Sequence, residues 1–339
     1  MGFIIADADM KEIGVLRCYM CDFDIGRQND FYIRTARDEG LAIGQYVFMP
    51  GTEYGGRIEY LKSTLGEDGV VLMGTAWRGL LKKDVVEPFH GDSHRTVSGF
   101  AHGIIRTVLN ENNSAGTIFT VPQSASIDIP TYSFDRYTTK LKGFSKMLDR
   151  HGHRLHIEAV KSNPGGAFTI EVSAMPIIDY SDEIEFSVDQ RVTATIEDNR
   201  MGINRLICLG RGELAERERL DLCVDKDGEI YRIENGIEPY FKGLDMRTEV
   251  YPNPNVEDEA ELERYGRERL EEIKGGRVMT LTVEDFPVEI GDIVGGRDRE
   301  AEIYLAQPVT GLIFSVRDEV EKIEISVEGG YDDYDDEDY

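Results

Sequence analysis

Two cysteines three positions apart, Cys18 and Cys21, have the spacing of metal or redox pairs. A structural zinc site needs four ligands, usually as two close pairs, and a redox pair needs a helix N-terminus that lowers a thiol pKa. The other cysteines, Cys208 and Cys223, are predicted to lie on separate strands. Cys18 and Cys21 fall in a strand pattern, where residues three apart point to opposite faces. We predict one core and one surface thiol, with metal binding and redox chemistry as the alternatives.

All six histidines fall in the segment from His90 to His156, and this crowding is a second chemical signal. They are His90, His94, His102, His151, His153 and His156. His90 and His94 have chelating spacing, but Pro88, Gly91 and Asp92 make a helix there unfavourable. No H-E-x-x-H pattern accompanies them. Exposed or core histidines are therefore favoured, and a zinc or manganese hydrolase is the alternative.

A third signal is the segment LICLGRGELA, residues 206–215, which imitates a dinucleotide fingerprint with Gly210, Gly212 and Ala215. That pattern binds a pyrophosphate only when a helix follows the glycines. Here the chain runs on into DLCVDKDGEIYRIE, which reads as strand, turn and strand. We predict no nucleotide site. DKDGE does not have the spacing of a calcium loop, and no catalytic serine motif or P-loop occurs.

Composition limits the possible partners. The chain has 339 residues, and 65 acidic against 38 basic side chains give a net charge of −27. The segment 331–339 carries six of these carboxylates, and the rest of the chain is still at −21. An acidic surface repels nucleic-acid and membrane polyanions, so we predict no stable nucleic-acid binding and no membrane partner. The absence of a signal-peptide pattern and four sparse cysteines favour synthesis in a reducing cytoplasm.

The elements that must position these residues are mostly strands. Residues 1–90 read as short strands between glycine turns, with a hairpin turn at 66–69. Beyond residue 95 the residue pattern predicts two helices and a hairpin. The first helix is predicted around Val97, Phe100, Ile104, Ile105 and Val108. The second has an apolar stripe at Tyr137, Leu141, Phe144 and Leu148, and the hairpin turns at 163–166.

The second half of the chain repeats this alternation. Strands are predicted in 190–233, with a turn at 225–228, and a charged helix follows the prolines of YPNPNVEDEAELERYGRERLEEI. Residues 277–328 read as strands again, around a Gly-Asp corner in EIGDIVGG. The pattern predicts an α+β, mainly β protein with a β-domain at each end of the chain. The sole tryptophan, in GTAWRGLL, is predicted to anchor a core at a strand end.

The order of these patterns resembles that of one protein family. CDFDIGRQNDFYI, GGRIEYLK and LMGTAWRGLLKKDVVEP, followed later by VEIGDIVGG and EIYLAQPVTGLIFSV, resemble the tail-hub (baseplate-hub-like) proteins of bacteriophage and prophage tail tips. The resemblance covers about residues 10–328. One departure is Lys83-Asp84 at a position where the family usually has arginine.

The resemblance implies a domain division. It comprises a first hub barrel in 1–95, completed by 190–245, an α/β module in 96–189, a connector helix in 246–276, a second barrel-like domain in 277–329 and an acidic tail in 330–339.

It also implies a function. The family forms homotrimers that continue or cap the tail tube, gate DNA and contact distal tail and tube proteins, with the tape-measure protein as a further candidate partner. We therefore expect a virion tail protein with no catalytic residue, no cofactor and no metal ligand. The alternatives are a metal-dependent cell-wall hydrolase and a receptor- or sugar-binding tip module. The chain lacks the peptidase extension of many relatives, which argues against the hydrolase.

Overall fold

The computed structural model describes residues 2–16, 18–36, 41–64, 69–111, 118–161, 166–181, 193–214, 217–226, 228–234, 236–254, 256, 258–283, 288–298, 303–317 and 320–327. The chain forms two compact units, one from Met1–Ala194 with Thr280–Val327 and the other from Thr195–Met279. The described part is mainly β with a few helices, which confirms the predicted α+β class. No helix in these ranges is long and apolar enough to cross a membrane.

Short strands make up much of the described chain up to residue 176. They are β1 Phe3–Ala6, β2 Glu12–Leu16, β3 Cys18–Ile25, β4 Asp30–Thr35, β5 Tyr46–Phe48, β6 Gly55–Ser63, β7 Val70–Ala76, β8 Arg95–Phe100, β9 Phe119–Thr120, β10 Asp128–Phe134, β11 His153–Lys161 and β12 Phe168–Pro176. The remaining strands are β13 Thr193–Asn199, β14 Arg205–Leu209, β15 Arg219–Val224, β16 Ile230–Arg232, β17 Thr248–Pro252, β18 Gly276–Val283, β19 Ile293–Asp298, β20 Ile303–Pro308, β21 Gly311–Arg317 and β22 Val320–Val327. The helices are α1 Trp77–Lys82, α2 Ala101–Asn110, α3 Lys140–Asp149 and α4 Glu259–Ile273.

Nine strands of the first unit follow one another as antiparallel neighbours in a curled sheet, in the order β22-β21-β3-β4-β7-β6-β5-β1-β2. We call this the nine-strand sheet. Strand β21 pairs with β3, so that Phe314 lies opposite Phe23 and both ends of the chain contribute to one sheet. Stacked rings of Phe3, Phe23 and Phe31, with centroids 5.2 Å apart, fill its concave interior.

The pairing of β21 with β3 bears on the predicted domains. It places the last two strands, which the sequence assigned to a second barrel, beside the strands of the first. The exact boundaries at residues 95, 189, 245, 276 and 329 stay a prediction.

The α/β module packs on one end of this sheet. Hairpin β11–β12, with β9 in parallel to β12, and the pair β8–β10 surround helices α2 and α3. Buried side chains of the module and of β5 form one hydrophobic cluster that includes Phe48, Trp77, Phe134 and Phe144. The predicted tryptophan anchor is confirmed, because Trp77 is fully buried at the end of β7.

Two helix predictions need correction at their starts. Val97 and Phe100 lie in β8, since Phe100 has an extended backbone and helix α2 begins only at Ala101. Tyr137 precedes α3, has φ +54° and is 54% exposed. Thr139 caps α3 instead, because its side chain accepts a hydrogen bond from Lys142 N. The predicted turns at 66–69 and 163–166 lie largely outside the described residues, although their flanking strands pair as expected.

The second unit is a four-strand sheet, β16-β15-β14-β17, with α4 across one face. Its core contains Leu206, Cys208, Leu222, Leu262 and Leu270. The helix lies close to the sheet because a Cβ at Gly266 would approach Cys208 Sγ to 2.4 Å. Asp258 caps α4 by accepting a hydrogen bond from Glu261 N at 3.0 Å.

Candidate functional site

The cysteines lie in strands, as predicted. Cys21 is fully buried in β3, and the side chain of Cys18 lies outside the described residues. Cys208 and Cys223 occupy the adjacent strands β14 and β15 and are both buried. Burial raises the pKa of Cys208 to about 12 and that of Cys223 to about 11. Both thiols are therefore protonated at neutral pH, which disfavours metal ligation and nucleophilic chemistry by either.

The histidines are dispersed. His90 and His94 are exposed in the loop before β8, whereas His102 is buried in α2. The Nδ1 of His102 lies 3.0 Å from Ser124 O, and its Nε2 accepts a hydrogen bond from Ala174 N at 3.1 Å. The Nδ1 of His153 lies 2.8 Å from His151 O. Within the described ranges, no three His, Cys, Asp or Glu side chains are grouped so that they could hold a metal ion.

The glycine fingerprint is part of a hairpin. Strands β14 and β15 pair in antiparallel register, and Gly210 N donates to Glu218 O at 2.8 Å across their connection. Gly212, with φ +112°, provides the left-handed backbone that this connection requires. Ala215 lies outside the described residues. The return strand occupies the place in which a nucleotide-binding fold would have a crossover helix.

The outward face of the nine-strand sheet carries an ordered set of charges, and we call it the open face. Alternation along β3 buries Phe23 and Ile25 and turns Asp22 and Asp24 outward. The register places Asp24 directly opposite Asp30, and it places Ile313 between Asp24 and Glu324. Asp30 of β4, Asp24 of β3 and Glu324 of β22 thus form an acidic row, with Ile313 of β21 lying between Asp24 and Glu324.

Two further rows run beside the acidic row. The next one along the strands contains Lys322, Ser315, Asp22, Tyr32 and Met73. The row after that contains Arg317, Met20 and Arg34.

The acidic row borders a shallow groove of about 660 Å³. Four carboxylates and two basic side chains line it, together with Tyr32, Met73 and Ile313. Burial, and next the charge of Asp24, raise the pKa of Asp30. Like charges on opposite strands destabilise a sheet. Asp24 Oδ1 also accepts a hydrogen bond from Gln28 N at 3.1 Å in the turn between β3 and β4.

A second polar constellation lies inside the first unit, and we call it the buried charge cluster. It contains Glu53, Arg78, Arg154, His156, Glu289 and Asp292. Arg154 Nε donates to Asp292 Oδ1 at 2.7 Å, and its Nη1 donates to Glu289 Oε2 at 2.5 Å. Arg78 pairs with Glu53 and also donates to Leu155 O at 2.8 Å. Asp292 is fully buried, so that its charge depends on these partners.

His156 completes this cluster. Its Nδ1 lies 2.5 Å from Glu289 Oε2, and this hydrogen bond raises the pKa of His156. Burial opposes ionisation of Glu289, but the hydrogen bond to His156 and the nearby Arg154 hold the pKa of Glu289 below its ordinary value. Between the ordinary values of 4.5 for Glu289 and 6.5 for His156, the pair is therefore a carboxylate and an imidazolium.

Sequence reasoning named His156 and the Gly-Asp corner but did not connect them. The available signal is Asp292, the one carboxylate in the run IGDIV of residues 290–294. A charged residue in such a run predicts a buried partner. The partner Arg154 lies 138 positions away, a separation that no local pattern can bridge.

No family model matches the chain, and no curated protein matches it. Solved structures do match over nearly its full length. A 43 kDa tail protein of prophage MuSo2 from Shewanella oneidensis is 12% identical and has a TM-score of 0.58, with 97% of this chain and 98% of that one covered.

A tail protein from Neisseria meningitidis is 14% identical with a TM-score of 0.53, covering 97% of both chains. The prophage tail protein gp18 from Listeria monocytogenes is 12% identical with a TM-score of 0.50, covering 96% of this chain and 94% of that one. The chain therefore has the fold of these tail proteins.

Proposed function

We propose that the chain is a structural, non-enzymatic component of a phage or prophage tail tip that assembles as a homotrimeric hub and continues or caps the tail tube. The observation that carries this proposal is the length of the fold match. Three tail proteins, two of them from prophages, are covered over 94 to 98% of their chains, so the likeness extends to both units of this protein. A whole-chain match favours the same architectural use over an unrelated activity on a shared domain.

An exposed sheet edge supports assembly. Strand β2 ends the nine-strand sheet and has β1 as its neighbour in the described part of the chain. Ile13 and Val15 on this strand are each 53% exposed. Apolar side chains on an edge strand favour pairing with another chain. In the proposed trimer, β2 lies against a neighbouring subunit.

The charge of the protein supports a DNA-conducting role. The net charge of −27 and the acidic row disfavour phosphate binding. We propose that the open face turns toward the channel, where it lets DNA slide without sticking. The proposed partners are the distal tail and tube proteins, with the tape-measure protein as a further candidate.

Light scattering during size-exclusion chromatography tests the assembly. The wild-type protein is expected to have three times the mass of the 339-residue chain. Val15→Lys should give a folded monomer, because it places a charge on the edge of β2. Leu214→Lys is the matched control, since Leu214 is 96% exposed in the second unit. A wild-type monomer at all concentrations, or trimers in both variants, would contradict the proposal.

The hydrolase hypothesis has a separate test. Its motivating histidines are dispersed between an exposed loop, α2 and β11. Metal analysis and a zymogram on cell walls should show neither bound zinc nor lysis. About one zinc ion per chain, lost in His90→Ala or His151→Ala, would favour the hydrolase instead.

A further inference from the structure

The buried charge cluster joins parts of the first unit that are far apart along the chain. Glu53 precedes β6, Arg78 belongs to α1, and Arg154 and His156 lie on β11. Glu289 and Asp292 belong to the segment 288–292, which leads into β19. Cross-links between distant segments are the places where one titrating group can change the attachment of a whole element.

The contacts of segment 288–292 show how it is held. Asp292 Oδ1 accepts hydrogen bonds from Arg154 Nε at 2.7 Å and from Ile178 N at 2.9 Å. Its Oδ2 accepts a hydrogen bond from Glu289 N at 3.0 Å. Gly291, with φ +97°, brings the backbone so close that a Cβ would lie 2.8 Å from Arg154 Cβ. These polar contacts attach the segment to β11, while buried Val288 and Ile290 and the hydrogen bond from Gly291 N to Val309 O also hold it in place.

When all five are ionised, Glu53, Glu289, Asp292, Arg78 and Arg154 sum to one negative charge, which a protonated His156 offsets. A neutral imidazole then leaves an excess negative charge among side chains of which Arg78, Arg154 and Asp292 are less than a tenth exposed. An uncompensated charge in such surroundings is costly.

Other charged groups near His156 affect its pKa less than Glu289 does. On its own strand, Glu158 Oε1 lies 3.6 Å from His156 Nε2 and favours the imidazolium, whereas the charge of Arg154 disfavours it. Burial raises the pKa of Glu53, and Arg78 opposes that shift. Ionisation of Glu53 and deprotonation of His156 both add negative charge to the cluster as the pH rises.

We propose that His156 and Glu289 form a pH-sensitive latch that fastens segment 288–292, and with it the start of β19, to β11. The latch is closed when imidazolium faces carboxylate and opens when the imidazole loses its proton. It is a property of the first unit and does not depend on the proposed tail function.

The sign of the pH dependence follows from the two shifts. The pKa of His156 is raised in the fold, so its contribution is full below its ordinary value of 6.5 and is lost as the pH rises through the raised pKa. The pKa of Glu289 is lowered, so its contribution is full above its ordinary value of 4.5 and is lost as the pH falls through the lowered pKa. The latch is therefore fully closed between these ordinary values, and it opens as the pH rises through the raised pKa of His156 or falls through the lowered pKa of Glu289.

Hydrogen–deuterium exchange of the full chain from pH 5.5 to 8.5, corrected for intrinsic exchange, tests the latch. Protection of peptides spanning 288–298 should fall by roughly tenfold across this range in the wild type, as expected for loss of a hydrogen bond between charged groups. His156→Gln keeps a donor but cannot titrate and should abolish the pH dependence. His153→Gln is the control, because its ring contacts a backbone carbonyl oxygen, and it should behave as wild type.

A second measurement covers the case in which His156→Gln does not fold. The proton titration of His156 in the wild type, followed by NMR, should give a pKa above 6.5 that returns toward 6.5 in Glu289→Gln. Flat exchange in the wild type, an unchanged pH dependence in His156→Gln, or a His156 pKa at or below 6.5 would overturn the proposal.

Discussion

A buried ion pair of the first unit contrasts with a surface ion pair of the second. In the first unit, Arg154 and Asp292 form an ion pair whose side chains are 6% and 1% exposed. In the second unit, Arg264 and Glu268 pair on the surface of α4 at 3.0 Å, with side chains 49% and 43% exposed. Solvent screens the surface pair, whereas the buried pair has replaced its water with protein partners. Burial, and not the number of ion pairs, therefore decides how much the loss of one charged partner should lower the free energy of unfolding.

The largest expected effect is at Arg154. Arg154→Leu leaves the fully buried Asp292 without its cation, which should lower the free energy of unfolding by about 3–5 kcal/mol. Arg264→Ala on α4 should change it by no more than about 0.5 kcal/mol. Urea denaturation of both variants measures the difference. Equal effects of the two substitutions would remove the distinction between the units.

A backbone change next to the cluster should have a smaller effect. Gly291→Ala adds a Cβ at φ +97°, 2.8 Å from Arg154 Cβ. Gly228→Ala in the second unit is the matched control, because Gly228 has φ +88° and no atom within 4 Å of its added Cβ. Both should lose about 1–2 kcal/mol through the left-handed backbone, and Gly291→Ala should lose more through the clash. If Gly291→Ala lowers the free energy of unfolding no more than Gly228→Ala does, segment 288–292 does not pack closely against β11.

Removing a charge from the open face should stabilise the protein. Asp24→Asn ends the repulsion with Asp30 and should raise the free energy of unfolding at pH 7 by about 0.2–1 kcal/mol. Because the pKa of Asp30 is raised, wild-type stability should increase as the pH falls toward that pKa, and the variant should show less of this increase. Asp22→Asn is the control, since Asp22 lies opposite Tyr32 and Ser315 and its Oδ2 is 3.5 Å from Arg317 Nη2, so its loss should not stabilise the protein. Destabilisation by Asp24→Asn would mean that the acidic row serves folding.

The smallest effect concerns the thiols of the second unit. Native protein at pH 8 should leave Cys208 and Cys223 unmodified by iodoacetamide, because burial raises their pKa values to about 12 and about 11. Unfolded protein should react at both positions. Peptide mass spectrometry distinguishes the two states, and rapid native labelling of Cys208 would contradict its position beneath α4.

The sequence predicts much of this architecture because the signals are local. Alternation in CDFDI and the Gly-bounded apolar runs identify strands, and the acidic start with Asp258 identifies α4. The pairing of Phe314 with Phe23 is not predictable in this way, since it joins residues from opposite ends of the chain. The start of α2 was placed too early, because Val97 and Phe100 have helical spacing but belong to β8.

The candidate sites show the same division between features visible in local sequence and features that depend on long-range pairing. The negative charge is visible in composition, but the acidic row exists only through the register that places Asp24 beside Asp30. The cysteine and histidine patterns correspond to buried thiols and dispersed rings. The Gly-Asp corner, which the sequence predicts as a turn, contributes Asp292 to the buried charge cluster.

Electron cryomicroscopy of the purified assembly tests the central claim most directly. We expect a threefold ring in which β2 lies at subunit contacts and the acidic row of the open face borders a central channel. A particle without threefold symmetry, or a ring whose channel is lined by basic side chains, would contradict the proposed tail-tip hub.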